Sequence, residues 1–120
     1  MKDFQLGEQE AKFADIIWEN EPIESSALVK LAEQNLNWKK STTYTMLRRL
    51  CTRGIFTNEN AMVSALMSKE QFSAGQSRSF IEDNFGGSLP KFLASFISGK
   101  KLTDTQADEL MRLINEHKEN

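Results

Sequence analysis

Trp38-Lys39-Lys40-Ser41-Thr42-Thr43-Tyr44-Thr45-Met46-Leu47-Arg48-Arg49-Leu50-Cys51-Thr52-Arg53-Gly54 decides how this chain is read. Thr43, Leu47, Leu50 and Cys51 recur at i, i+4, i+7 and i+8, the spacing of one buried helical face. The opposite stripe is Ser41, Thr45, Arg48 and Thr52, flanked by Thr42, Tyr44 and Arg49. The helix is expected to start near Lys40 or Ser41 and to end at Arg53, with Gly54 as terminator. Around it lies a segment without acid. The 25 positions between Glu33 and Glu59 hold Lys39, Lys40, Arg48, Arg49 and Arg53 and no Asp or Glu. The whole chain, with 15 Lys and Arg against 17 Asp and Glu, has a net charge of −2. A concentrated basic segment sets a local field that such a total conceals.

Upstream, Ala11, Ala14, Ile17 and Trp18, widened by Phe13 and Ile16, predict a helix over Glu8–Asn20. Glu8 and Glu10 suit its positive end, and Pro22 stops it, with Glu21 driven out of helical geometry. Ile23-Glu24 reads as a short extended piece. Ser25 or Ser26 is expected to cap a second helix that runs to about Asn35 and buries Leu28, Leu31 and Ala32. Downstream of Gly54 the period changes. Ile55-Phe56-Thr57 and Met62–Met67 read as strands around turn chemistry at Asn58-Glu59-Asn60. Three helices and a β-hairpin, in that order, make a winged helix-turn-helix. In that fold the third helix lies in the major groove.

The second half is helical. One helix is expected over Lys69–Phe85, stopped by Gly86-Gly87. Ser88 caps the next, which ends at Gly99, and Thr103-x-x-Gln106 is a capping box that opens the last. The fold class is therefore mainly α, with a winged-helix DNA-binding domain over 1–68 and a helical dimerisation domain over 69–120. Leu89, Phe92, Leu93, Phe96 and Ile97 form one strong apolar face, and Phe80 precedes it. Leu110, Met111, Leu113 and Ile114 form another. Short helices do not easily bury two such faces among themselves, and leftover apolar surface of this size marks an interface. The alternative is a monomer whose second half folds back on the first.

The outward stripe carries the chemistry of a duplex reader. Ser41, Thr42 and Thr45 can bond a base edge or a phosphate, and their carbons can sit against thymine. Tyr44 adds an apolar edge or a phosphate bond. Arg48 and Arg49 can reach a phosphate or a guanine, and Lys39 and Lys40 lie beside the phosphate strand the helix crosses. Hydroxyls at a helix start also serve as caps, and exposed arginines are commonly just solvated. Trp38 is expected to pack the turn against the first helix, and Cys51 to be a small buried hydrophobe.

Composition narrows the rest. The 120 residues, 39% hydrophobic and 27% charged, suit a globular domain. Apolar stretches such as Phe92–Ile97, itself broken by Ser95, are far short of the ~20 residues of a membrane span. Met1-Lys2-Asp3-Phe4-Gln5 lacks the apolar core of a signal peptide. One cysteine speaks for a reducing, cytoplasmic setting, and with one histidine, His117, no metal site, triad or cofactor is expected. No glycine-rich phosphate loop or nucleophile–base pair is visible, so an enzyme is not expected. Two functions remain: a dimeric transcriptional repressor, or a winged-helix protein-interaction adaptor that never touches DNA.

Trp38-x-x-x-Thr42-x-x-Thr45-x-Leu47-x-Arg49-Leu50-x-x-x-Gly54-Ile55 resembles the third helix of the family of penicillinase, methicillin-resistance and copper-transport repressors. Glu8-x-Glu10, Ile17-Trp18-Glu19 and Pro22 resemble its first helix, and Phe85-Gly86-Gly87 matches further on, so the likeness runs over about residues 4–119. The resemblance implies a homodimeric repressor on an inverted-repeat operator. For the penicillin-responsive members it also implies release by a cut at an Asn–Phe bond, triggered by a membrane-bound sensor protease system, and by position that bond is here Ser95–Phe96. Copper-responsive members carry Cys-x-Cys pairs, which this chain lacks. Many relatives carry basic and aromatic residues in the hairpin, whereas Ile55–Met67 holds no basic residue and has Glu59 at its turn. The third helix is therefore expected to supply most DNA contacts.

Overall fold

The computed structural model describes residues 4–119. Met1–Asp3, part of the stretch read for a signal peptide, lie outside the described residues. Helix α1 is Glu8–Asn20, followed by β1 (Ile23–Glu24), α2 (Ser25–Leu36), α3 (Lys40–Thr52), β2 (Phe56–Glu59) and β3 (Met62–Ala65). Glu10 accepts the Gly7 N–H at 3.0 Å and so closes the first turn of α1. Glu21 is extended, as its place before Pro22 requires. Asn37 ends α2 in the left-handed conformation at φ 56°.

The hairpin is part of a three-stranded antiparallel sheet of order β1-β3-β2. The extended piece Ile23-Glu24 pairs with β3, Ile23 opposite Val63 and Glu24 opposite Met62. On the other side Glu59 also faces Met62. The turn sits later than expected, at Asn60-Ala61, where both residues have positive φ, 54° and 63°. Two such residues are what a tight hairpin turn matched to strand twist requires.

The start of α2 departs from expectation. Glu24 occupies the cap position without a side-chain bond, and neither Ser25 nor Ser26 caps. Ser25 is instead the first helical residue. Its backbone N–H, one of the donors a helix start leaves unmet, goes to the carbonyl of Ala61 at 2.8 Å. The hairpin turn therefore does the work expected of a serine hydroxyl.

Phe13, Ile17, Leu28, Leu50, Ile55, Phe56 and Val63 are fully buried and join the three helices to the sheet. Trp38 packs against Phe13 of α1 in a tilted ring contact with centroids 5.0 Å apart, in the bracing role its sequence position suggests. Trp18 lies between Phe56 and Phe72 and donates its indole N–H to the Met67 carbonyl at 2.9 Å. Phe72 belongs to α4 (Lys69–Phe85), which an ion pair of 3.0 Å between Lys69 and Asp15 holds to α1. The Asp15 carboxylate, by hydrogen bond and charge, raises the Lys69 pKa. Gly75 of α4 is buried beneath the ring of Phe4, with which a Cβ would collide.

The chain divides into two compact units, the first ending at Ser79 and the second starting at Phe80. The change falls inside α4, past the 68/69 border suggested by the sequence. The second unit continues with α5 (Leu89–Ile97) and α6 (Asp104–His117). Gly86 and Gly87 both take positive φ, which a side chain would resist. Ser88 caps α5, accepting the Lys91 N–H at 3.2 Å. Thr103 and Gln106 cap α6 reciprocally at 3.0 and 3.1 Å, the box written in the sequence. Phe80, Phe85, Phe92 and Phe96 form a chain of ring contacts with centroids 5.5–6.1 Å apart. Neither α5 nor α6 buries a single residue.

Candidate nucleic-acid interface

Helix α3 presents two faces of opposite character. Thr43, Leu47 and Leu50 are buried, as the spacing predicts, and Thr43 returns its hydroxyl to the Lys39 carbonyl at 3.1 Å. Cys51 on the same side is half-buried, and desolvation pushes its thiol pKa up, which suits an inert small hydrophobe. Lys39, Lys40, Ser41, Thr42, Thr45, Arg48 and Arg49 are all exposed on the other side.

The exposed cations are not neutralised internally. Among the described residues, Lys39, Lys40, Arg48 and Arg49 make no ion pair. Arg49 only approaches the Met46 sulfur at 3.7 Å. Arg53 behaves differently, although it stands in the same acid-free segment. One of its nitrogens donates to the Gln5 carbonyl and another lies 4.0 Å from the Glu10 carboxylate. It ties the end of α3 to the start of α1, a role that no local pattern announces because its partners lie far back in the sequence.

The amino end of α3 is open as well. Lys39 stands at the cap position with no side-chain bond to the first turn, and that turn contains no acid. The hydroxyls of Ser41 and Thr42 are thus not engaged as caps. Unmet backbone N–H groups and the positive helix end favour an anion at this place. Along the helix, Thr45, Arg48, Arg49, Thr52 and Arg53 with Glu10 border a shallow depression of about 550 Å³. Arg48 also borders a second, of about 360 Å³, between α3 and β2, with Tyr44, Cys51 and Leu66. Arg48 therefore stands on the ridge between them.

Tyr44 takes a different position from its neighbours in the stripe. Its ring is half-buried against the core, and its hydroxyl donates to Oγ of Ser25 in α2 at 3.3 Å. Ser25 itself is nearly enclosed and was not recognisable from the sequence as part of this surface.

The hairpin supplies no cation. Glu24, Met62 and Glu59 form a cross-strand row of three exposed side chains on neighbouring strands. Two carboxylates in such a row repel a phosphate backbone. No group of three or more His, Cys, Asp or Glu that could hold a metal occurs among the described residues. No described helix is long and apolar enough to cross a membrane.

This architecture has close company. A family model described as penicillinase repressor matches residues 6–116. A penicillinase repressor of Bacillus licheniformis is 22% identical over 118 residues, covering 95% of this chain and 92% of that protein. The match takes in both units, the exposed face of α3 and the helices beyond it. On that extent, the chain belongs to the penicillinase repressor family.

Proposed function

We propose that this protein is a homodimeric transcriptional repressor that reads an inverted-repeat duplex operator through α3. The observation that carries the reading is the face of Ser41, Thr42, Thr45, Arg48 and Arg49, with Lys39 and Lys40 at its open end. It is exposed and free of internal ion pairs among the described residues, with one carboxylate, Glu10, at the edge of the depression beside Thr45, Arg48 and Arg49. A 13-residue helix is ~20 Å long and fits the ~12 Å width of the major groove. Hydroxyls near its start reach base edges, and the arginines and lysines hold phosphates. Family membership supports repression as the outcome.

Dimerisation is assigned to the second unit. Phe80, Leu89, Phe96, Met111 and Ile114 are 51–63% exposed in the single chain, and Phe92, Leu93, Ile97 and Leu110 are only half-buried beside them. A twofold pair through this face would carry two α3 helices to half-sites ~34 Å apart, or a multiple of that. Ser95 and Phe96 are exposed in the last turn of α5. A sensor-protease cut between them would sever α6 from the rest and undo the pair.

Gel shift on a duplex taken from upstream of the protein's own gene tests the reading. Arg48→Ala should cost about 1–3 kcal/mol of binding, and Thr45→Ala should weaken it too. Unchanged binding in both variants removes α3 from the mechanism. The adaptor alternative finds support in the hairpin, where the Glu24–Met62–Glu59 row and the 62% exposed Leu66 look unsuited to DNA. A pure adaptor would pass through heparin at low salt, whereas the repressor is retained.

A further inference from the structure

Ser25 bonds in two directions. Its backbone N–H donates to the carbonyl of Ala61 in the hairpin turn at 2.8 Å. Its Oγ, left free because it does not cap α2, accepts from the Tyr44 hydroxyl of α3 at 3.3 Å. Both bonds are sheltered, since Ser25 is 6% exposed and Tyr44 is half-buried. The pairs Ile23–Val63 and Glu24–Met62 immediately before it fix where the residue stands. At the far side, the left-handed conformation of Ala61, φ 63°, aims the carbonyl. The turn, the first turn of α2 and the middle of α3 therefore meet at one serine.

We infer that Ser25 and Tyr44 are positioning residues for sequence recognition, in which Ser25 holds the rotation of α3 through the Tyr44 hydroxyl and registers it against the hairpin turn. The inference rests on the proposed reading of α3 as the duplex-reading helix. Tyr44 lies directly between Thr43, which is buried, and Thr45, which is exposed, so a small rotation about the helix axis changes which hydroxyls face outward. A half-buried phenol without a partner loses its reason to keep that rotation. Charge-driven attraction to any duplex depends on the arginines and lysines, which this bond does not touch. Loss of the Ser25–Tyr44 bond therefore lowers discrimination between sequences and spares general affinity.

The test begins with a pool of random duplexes enriched by the wild-type protein. Dissociation constants are then measured for the enriched duplex and for a scrambled version of it. The ratio of the two is read for wild type, Ser25→Ala, Tyr44→Phe and the double variant. Each ratio compares the same protein on two probes, so a partly unfolded sample cancels out. Each single change is expected to lower the ratio about fivefold, the size of one net hydrogen bond, and the double change should lower it no further. Losses that multiply in the double variant would mean that Tyr44 bonds the duplex on its own account, which overturns the inference. A ratio unchanged in either single variant overturns it as well. A wild-type protein that enriches no sequence fails at the earlier step, the reading of α3, and the inference falls with it.

Discussion

Ala61 illustrates how a single residue can sit against its own preference. An L-residue in the left-handed region is disfavoured by about 1 kcal/mol, yet the hairpin demands it, and the adjacent Asn60 tolerates the same conformation better. Ala61→Gly removes the clash and should stabilise the first unit by about 0.5–1 kcal/mol, less the greater freedom glycine has when unfolded. Urea unfolding followed by tryptophan fluorescence reads it directly, because Trp18 and Trp38 both lie in that unit. A lower midpoint would contradict this account of the turn. The same residue marks a limit of sequence reading. Asn58-Glu59-Asn60 has turn composition, but the register Glu59–Met62 moves the turn on to Asn60-Ala61. Ser25 departs from its expected cap role for a related reason: serine before a helical pattern resembles a cap, and only the folded hairpin puts an acceptor in front of its N–H.

At the level of elements, the helices were largely legible and the sheet less so. The stripe Thr43, Leu47 and Leu50 is local and periodic, so α3 is apparent from sequence, as is the capping box of α6. Strand β1 is two residues long, and its partner β3 lies some forty positions further on, which no local period can signal. The tie between Arg53 and Gln5 spans 48 positions and was equally hidden. Among the elements the hairpin differs most from a phosphate-gripping wing. Its row of Glu24, Met62 and Glu59 places carboxylates where a cation would help. If the hairpin passes near DNA, Glu59→Lys should tighten duplex binding and steepen the dependence of log affinity on log salt by about one unit. Fluorescence anisotropy over a sodium chloride series measures both. Equal slopes for wild type and variant would place the hairpin away from the duplex.

For the whole molecule, the chain divides into two units, and on the proposed reading the first would read the duplex and the second would pair. The first unit has its own core of aromatic and branched side chains, while the second has ring contacts and exposed apolar faces. Phe96→Asp puts a charge into the exposed apolar face of α5, near its carboxy end. We expect a monomer by sedimentation at micromolar concentration and an unfolding transition of the first unit close to wild type. Operator affinity should fall by about a hundredfold or more, because two linked reading heads become one. A variant that stays dimeric would place the interface elsewhere. With about six phosphates neutralised per dimer, wild-type affinity should itself drop roughly a thousandfold between 50 and 200 mM salt.

The absence of any enclosed side chain in α5 and α6 has a consequence for dosage. Helices this short hold their order poorly in isolation, so the carboxy-terminal half would become firm only as chains grow numerous enough to meet. Active repressor then rises with roughly the square of the chain count at the low end, and a modest fall in synthesis silences it more than proportionally. A threshold of that kind would originate in the phenylalanines of the second unit, far along the sequence from the helix proposed to choose the gene.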